Sequence, residues 1–511
     1  MNKMRNQTYI SFSMDDIKLF SQASHDRNPL HLSKNYSRKT PYGQPVVFGV
    51  LCGIASLGCL ANRSGYIASS ISMEFYAPIF LDENYRVEVQ ENNSLKANVN
   101  VFDGRKQLLK LSIQYKKKNI NENKPNLKEN DVISNEGIAS RREASKLDLR
   151  DYESGISVKG RYCPSPDAFI EIKKTYNLYD KGITDSQYSA LMCSSYLVGM
   201  EVPGVDALFS QVIIEFNDLE PSLHNGFSYD VQSEHFDKRF NLLRVGGFLR
   251  FDTVEYAKLS LISFVRQETL LNRQSIEEKI SGSTLLKGKV ALVTGGSRGL
   301  GSAIVQTLVL HGCTVLVNYH KSHEEAERLR KEYDNGSIIL VPGDISDLNY
   351  CEELKKEILE DYGKLDFLFL NASPALLPLW VEPDSIQRIN SFLMKSFSMV
   401  SVPMATFTPL LDKIGGQLVF ISSSVVQEAT PDWPHYAAAK SAIEGLVRTS
   451  AIEYPNARFA IARFKRLLTD LTNTPLGRKG AKSPELAAVN LVEEITSSLT
   501  NRSEVNVLDM S

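Results

Sequence analysis

The sequence predicts a multidomain α+β and α/β protein. Two similar blocks of one helix with an antiparallel sheet are followed by a doubly wound parallel sheet. Three observations predict this. A chain of 511 residues exceeds what one hydrophobic core usually organises, so several domains are expected. Residues 1–118 and 151–270 repeat the same order of apolar helix and alternating strands. From residue 285 onward, strands alternate with helical patterns, as in a parallel sheet with crossover helices.

In the first block the apolar helix is Val46–Ala61, followed by strands Ile71–Tyr76, Tyr85–Gln90, Ala97–Phe102 and Leu108–Tyr115. In the second it is Ser186–Met200, followed by Phe209–Phe216, Phe227–Gln232, Phe240–Phe251 and Lys258–Arg266. One helix per antiparallel sheet, twice over, predicts a sheet wrapped around its helix. Residues 119–150 read as a linker. They belong to a polar stretch, Lys116 to Arg150, that is rich in Asn, Lys and Glu and nearly free of aromatics, a composition that buries little. A second polar stretch, Asn272 to Gly288, precedes the third block at 285–511. Its predicted strands are Val290–Thr294, Thr314–Tyr319, Ile338–Pro342, Phe367–Asn371 and Leu418–Ser422, with a helix at Ser302–His311 after the first.

A net charge of −2 gives no reason to expect nucleic acid or an acidic membrane surface as partner. No run approaches the roughly 18 apolar residues of a membrane span, and the first thirty residues lack a signal-type apolar stretch. A soluble cytoplasmic protein is expected. Cys52, Cys59, Cys163, Cys193, Cys313 and Cys351 are scattered without metal-type pairing, which predicts buried reduced thiols and no metal.

The third block carries the first chemical signature. Thr294-Gly295-Gly296-Ser297-Arg298-Gly299-Leu300-Gly301 follows a strand and opens a helix, where backbone N–H groups meet a dinucleotide pyrophosphate. Downstream, Tyr436 and Lys440 stand four apart on one helical face. There the ammonium is expected to bring the phenol pKa closer to working pH. Hydride transfer at a carbonyl or alcohol is the chemistry these two features share. The second strand ends Val317-Asn318-Tyr319-His320-Lys321 without the carboxylate that usually selects NAD. Arg298 and Lys321 suit a 2′-phosphate, so NADPH is expected; the alternative leaves both as solvated surface charges.

This block resembles the short-chain dehydrogenase/reductase family, on TGGSRGLG, Gly343-Asp344-Ile345, Asn371-Ala372, a Ser at the end of the fifth strand, and Tyr436-Ala437-Ala438-Ala439-Lys440. The resemblance implies a Rossmann-type sheet and a homo-oligomer. It also implies that Tyr436 donates the proton, Lys440 tunes Tyr436 and holds the nicotinamide ribose, and a Ser polarises the carbonyl. Gly295, Ser297, Arg298, Gly299, Leu300, Gly301, Asn318, Tyr319, Asp344, Ile345, Asn371 and Ala372 would surround the cofactor. Ser422, Ser423 and Ser424 compete for the serine role; the family spacing selects Ser423, with Ser424 next. The chain departs from the family at three places. Leu370-Asn371-Ala372-Ser373 replaces Asn-Asn-Ala-Gly. Lys395 or Ser396 stands where the next helix usually carries Asn. Ala462-Arg463-Phe464-Lys465-Arg466 lacks the Pro-Gly after the sixth strand.

The second signature is Asp26-Arg27-Asn28-Pro29-Leu30-His31. Pro29 prevents a regular helix between Asp26 and His31, so both side chains can converge from one turn, a pairing suited to moving a proton on and off a hydroxyl. Gly43-Gln44-Pro45-Val46-Val47-Phe48-Gly49-Val50 opens the long apolar helix, where free N–H groups, that of Gly49 among them, are placed to stabilise a thioester enolate oxygen. The pattern resembles the MaoC-like, hotdog-fold enoyl hydratases and dehydratases over about residues 10–118. The resemblance implies that Asp26 and His31 are catalytic and that Asn28 shapes the turn. Phe48-Gly49 replaces the usual His-Gly. The second block shows no Asp/His turn and is expected to complete a double hotdog and line the acyl pocket. His224 and His235 read as surface residues.

Together these sites predict a bifunctional NADPH-dependent 3-oxoacyl-thioester reductase and 3-hydroxyacyl-thioester dehydratase. Its acyl group would be carried on coenzyme A or an acyl carrier protein. Two other readings stand beside it: enoyl hydration followed by oxidation, as in β-oxidation, and a scaffold with a degenerate domain.

Overall fold

The computed structural model describes residues 8–118, 143–218, 226–267, 271–280, 284–333, 336–428, 430–497 and 504–510. Most of the predicted 119–150 linker and His224 therefore lie outside the described residues. The chain divides into two compact units, Met1–Gln267 and Glu268–Ser511.

The first unit is built on one ten-stranded antiparallel sheet. Its strands are β1 (Thr8–Ile10), β2 (Tyr66–Phe75), β3 (Tyr85–Asn93), β4 (Lys96–Asp103), β5 (Lys106–Lys117), β6 (Ser157–Tyr162), β7 (Ala207–Phe216), β8 (Phe227–Asp237), β9 (Leu242–Phe251) and β10 (Val254–Val265). The order is β1-β3-β4-β5-β2-β7-β10-β9-β8-β6. Read outward from the centre, the two halves have the same topology. They join where β2 pairs with β7, from Ser70↔Glu215 to Glu74↔Gln211.

Each half contributes one long apolar helix. Gly49–Leu57 is buried from Val50 to Leu57, and Asp185–Tyr196 from Ser186 onward. A helix that is buried on every face must be wrapped by other elements, and both share a single hydrophobic cluster with the sheet. The first helix starts later than its apolar run, because Val46 bridges to Phe80 and the Val47 N–H donates to Ile79 O. The second is started by a capping box of Thr184 and Gln187. It ends in a π-helical turn, Leu197–Glu201.

The second unit holds a seven-stranded parallel sheet in the order β13-β12-β11-β14-β15-β16-β17. The strands are β11 (Val290–Val293), β12 (Thr314–Tyr319), β13 (Ile338–Pro342), β14 (Phe367–Leu370), β15 (Gln417–Ser423), β16 (Arg458–Phe464) and β17 (Asn506–Met510). Alternate side chains feed a cluster on each face: Val293, Val317 and Phe369 on one, Leu292, Leu316 and Leu368 on the other. The strand order reverses between β11 and β14, the place where parallel sheets bind ligands.

The polar stretch Asn272–Gly288 differs from the expectation of a simple divider. Arg273–Ile280 is a helix packed against helices Gly299–Leu310 and Pro484–Ser497. Ile276 and Ile280, four apart, are buried, and the Arg273 guanidinium lies 4.4 Å from the Tyr333 ring centroid. Two well-spaced apolar residues outweigh a hydrophilic average. All six cysteines are free, but Cys59 and Cys163 are only half-buried. His235 is exposed. Among the described residues no helix is long and apolar enough to cross a membrane.

Candidate active sites

In the parallel unit, β11 runs into the glycine loop and the helix Gly299–Leu310, which no side chain caps. Its first N–H groups therefore remain open to an anion. Gly295 has φ +63°, and a Cβ there would lie 3.1 Å from Ala372 Cα. The end of β14 braces this loop. Thr294 Oγ1 accepts from the N–H groups of Asn371 (2.9 Å) and Ala372 (3.0 Å). Asn371 Nδ2 donates to Thr294 O at 3.1 Å and Gly295 O at 3.0 Å.

The Asn318 side chain is directed elsewhere than expected. Its Nδ2 lies 3.2 Å from Val341 O, Gly343 O and Tyr350 Oη, while its backbone carbonyl accepts from Gly296 N. Tyr319 is also buried, its hydroxyl bonded to His323 Nδ1 at 2.8 Å. His320 and Lys321 are the exposed side chains at this strand end. Asp344 is held low by hydrogen bonds from the Ser346 hydroxyl and N–H. Ile345 is buried, Ser297 and Leu300 nearly so. Sequence reasoning missed Thr469 and Asp470, because the segment after β16 lacks its usual Pro-Gly marker. Asp470 Oδ2 lies 3.2 Å from Arg298 Nη1, and Thr469 abuts Gly299.

Beside this loop, Tyr436 and Lys440 lie on helix Pro434–Glu453, with Pro at its first position. Ser423, the last residue of β15, hydrogen-bonds Tyr436. Lys440 Nζ donates to Ile421 O at 2.7 Å and lies 5.7 Å from the Tyr436 ring centroid. The neighbouring serines point to other work: Ser422 Oγ donates to Glu444 Oε1 at 2.7 Å, and Ser424 opens a 3₁₀ turn. Glu444 also takes Arg463 Nε at 2.9 Å and Nη2 at 2.6 Å.

In the antiparallel unit, Asp26 follows helix Met14–Ser24 and is 2% exposed. Its Oδ1 accepts from Asn28 N at 3.0 Å, its Oδ2 from the Ser195 hydroxyl at 2.7 Å. Burial raises Asp26 to about 7, against the pull of Ser195 and Asn28. His31 lies in the short helix Pro29–Leu32. Its Nδ1 bonds Val46 O at 2.8 Å, so the proton sits there and Nε2 keeps its lone pair. Burial lowers His31 to about 4 despite that bond. The Phe48 ring, standing where the resemblance expects His, stacks on the His31 ring at 3.8 Å. Gly49 starts its helix without a side-chain cap, leaving N–H groups at that end. A wider cleft of about 440 Å³ runs past Asn62, Arg63, Ser64 and Glu91. There Arg63 is committed to the Asn93 and Ser94 carbonyls.

Residues 289–478 match the family profile described as short chain dehydrogenase, and residues 2–110 the one described as MaoC like domain. The chain joins a MaoC-like domain to a short-chain dehydrogenase domain. The dehydrogenase domain is 31% identical to the uncharacterized oxidoreductase YhdF of Bacillus subtilis (strain 168) over 182 residues, 35% of this chain and 62% of that protein. It is 34% identical to versicolorin reductase stcU of Emericella nidulans over 173 residues, 33% of this chain and 64% of that protein. The chain thus spans under two thirds of the length of these relatives. A dehydrogenase/reductase from Sinorhizobium meliloti 1021 aligns at 24% identity and a TM-score of 0.40, covering 46% of this chain and 98% of that one.

Within the dehydrogenase domain, burial changes the expected electrostatics. It raises Tyr436, with the Ser423 bond opposing, and lowers Lys440 to about 8, with the Glu444 charge opposing. The expectation that Lys440 brings the phenol down is therefore corrected: desolvation of the phenolate is the larger effect. If Tyr436 gives the proton in a carbonyl reduction and the Lys440 charge supports it, the active form has Tyr436 protonated and Lys440 charged. The kcat/KM for reduction should hold below about pH 8 and fall above it; a rate that climbs through that range would contradict the assignment. Of the two residues at the helix-Asn position, Lys395 is exposed. Ser396 lines a small cavity with Ala372, Tyr436 and Lys440, and its hydroxyl is buried without a hydrogen-bond partner among the described residues.

Proposed function

We propose that the chain is a bifunctional NADPH-dependent 3-oxoacyl-thioester reductase and 3-hydroxyacyl-thioester dehydratase. The observation that carries this reading is two acid–base sites on one chain whose reactions share a 3-hydroxyacyl thioester. The antiparallel repeat is read as a double hotdog, its long helices being the wrapped cores. The uncapped helix end at Gly299 and the Gly295 cradle fit a dinucleotide. When bound, that cofactor supplies the hydride. Tyr436 then gives its proton to the carbonyl oxygen while Ser423 orients that oxygen and the Lys440 charge supports the phenolate left behind.

In the MaoC-like domain, neutral His31 offers Nε2 as base for the C2 proton. Asp26, titrating near 7, carries the proton that leaves with the C3 hydroxyl as water. The Gly49 end of its helix faces the developing enolate charge. Substrate would be presented on coenzyme A or a carrier protein, by a chain that assembles as a homo-oligomer.

NADPH preference follows from charge. No carboxylate lies between Asn318 and His323, whereas Lys321 is exposed there and Arg298 stands at the start of the helix Gly299–Leu310. The Arg298–Asp470 pair is 39% and 26% exposed. A pair of that kind is worth only about 0–1 kcal/mol, so a 2′-phosphate can replace it. Arg298→Ala should reduce the preference for NADPH over NADH about tenfold; unchanged kcat/KM for both cofactors would remove Arg298 from the 2′-phosphate site. The direction is tested by initial rates of NADPH consumption with an acetoacetyl thioester against NAD+ reduction with a crotonyl thioester. Faster oxidation would favour the β-oxidation direction.

A further inference from the structure

The second repeat of the antiparallel unit has no Asp/His turn of its own, yet it grips the one in the first. Its apolar helix Asp185–Tyr196 runs into the π-helical turn Leu197–Glu201, closed by Val202 N donating to Leu197 O at 2.8 Å. Such turns are rare and cluster at functional sites. Four contacts clamp the Asp26–His31 segment onto this turn and the residues on either side of it. The Ser195 hydroxyl donates to Asp26 Oδ2 at 2.7 Å. Asn28 Nδ2 donates to Gly199 O at 3.0 Å and Gly204 O at 2.9 Å. Arg27 N approaches Met200 Sδ at 3.1 Å. At Gly199 the fit is closer still: a Cβ there would lie 2.4 Å from Asp26 Oδ1 and 2.5 Å from Oδ2. The turn is itself anchored, since Glu201 is buried and accepts from the hydroxyls of Tyr196 (3.0 Å) and Tyr229 (3.4 Å).

We infer that Ser195 and Gly199, in the repeat without a catalytic turn, are positioning residues for Asp26: one directs its carboxylate by a hydrogen bond, the other clears the space it occupies. The inference rests on the dehydratase reading of this domain and extends it, because it makes the second repeat part of the active site and not only a wall of the acyl pocket. Other ionisable groups near Asp26 are His25 and Arg27, which adjoin it in the chain, and Tyr162 of β6, which interacts with Asp26 and whose hydroxyl donates to Ser24 O at 3.1 Å. A donor aimed at a buried carboxylate stabilises its charged form. Removing it should raise the carboxyl pKa by about one unit.

The test uses the full chain and hydration of a crotonyl-coenzyme A thioester, followed as kcat/KM against pH. The wild-type profile should lie between a limb near 4, from His31, and one near 7, from Asp26. In Ser195→Ala the upper limb should move up by about one pH unit, and Ser195→Thr should return it. Gly199→Ala should lower kcat by about a hundredfold, with thermal unfolding showing that the chain is folded. An Ser195→Ala limb that superimposes on wild type, or a Gly199→Ala enzyme with wild-type kcat, overturns the inference. If the wild type hydrates nothing, the dehydratase reading fails. Positioning is then decided by the carboxyl titration in ¹³C-aspartate-labelled protein, with the Asp26 signal assigned by Asp26→Asn. A midpoint unmoved by Ser195→Ala overturns it, and an upward shift sustains it.

Discussion

Tyr436→Phe should lower carbonyl reduction by about 10²- to 10⁴-fold, the usual contribution of a positioned proton donor. The substitution removes one oxygen and leaves the ring that packs beside Lys440. It also leaves the elements that would hold the dinucleotide: the Thr294–Gly301 loop, the Asn371–Ala372 brace and the open helix end at Gly299. NADPH affinity, read by fluorescence titration, should therefore stay within about twofold, because that loss falls on the transition state and not on binding. A Phe variant that reduces at the wild-type rate would remove Tyr436 from the chemistry. One that fails to bind NADPH would instead place Tyr436 in the cofactor site alone.

Asp26→Asn should cost dehydration a comparable factor of about 10²- to 10⁴-fold. Asn matches Asp in shape and can still accept from Asn28 N, but it cannot carry the proton that the leaving hydroxyl needs. Reduction in the same chain should be unaffected, so the 3-hydroxyacyl thioester should accumulate when NADPH and a 3-oxoacyl thioester are supplied together. The separation matters more than either loss alone. A change confined to dehydration for Asp26→Asn, and to reduction for Tyr436→Phe, is what two independent sites require. If dehydration survives Asp26→Asn, the Asp26/His31 assignment falls.

Much of the fold is legible in the sequence because its periodicities are clean. Runs such as Thr314–Tyr319 and Ile338–Pro342 are mostly β-branched or apolar and bounded by turns, and they form strands at those limits. The repeated helix-and-strand order reappears as two sheet halves of one topology. Arg273–Ile280 was hidden because composition averages over Ile276 and Ile280, the two residues that bury it. Proximity is readable where a motif keeps side chains close in sequence, as with Tyr436 and Lys440 on one helix.

Residues brought in from afar were not readable. Ser195 meets Asp26 across 169 residues, and Gly199 matters only through the absence of a side chain at one point of close approach. Thr469 and Asp470 reach the glycine loop from a segment without a recognisable signal. Titration was the least legible property. Spacing alone puts Lys440 beside Tyr436, but burial decides which way both groups shift.

One chain that carries both sites should reduce and then dehydrate the same acyl group. This is tested by supplying the wild-type protein with NADPH and an acetoacetyl thioester and resolving the thioester products by mass. The expected products are a trans-2-enoyl thioester, formed only with NADPH, and its 3-hydroxyacyl precursor. A 3-hydroxyacyl thioester with no enoyl product, or no oxidation of NADPH, would contradict it.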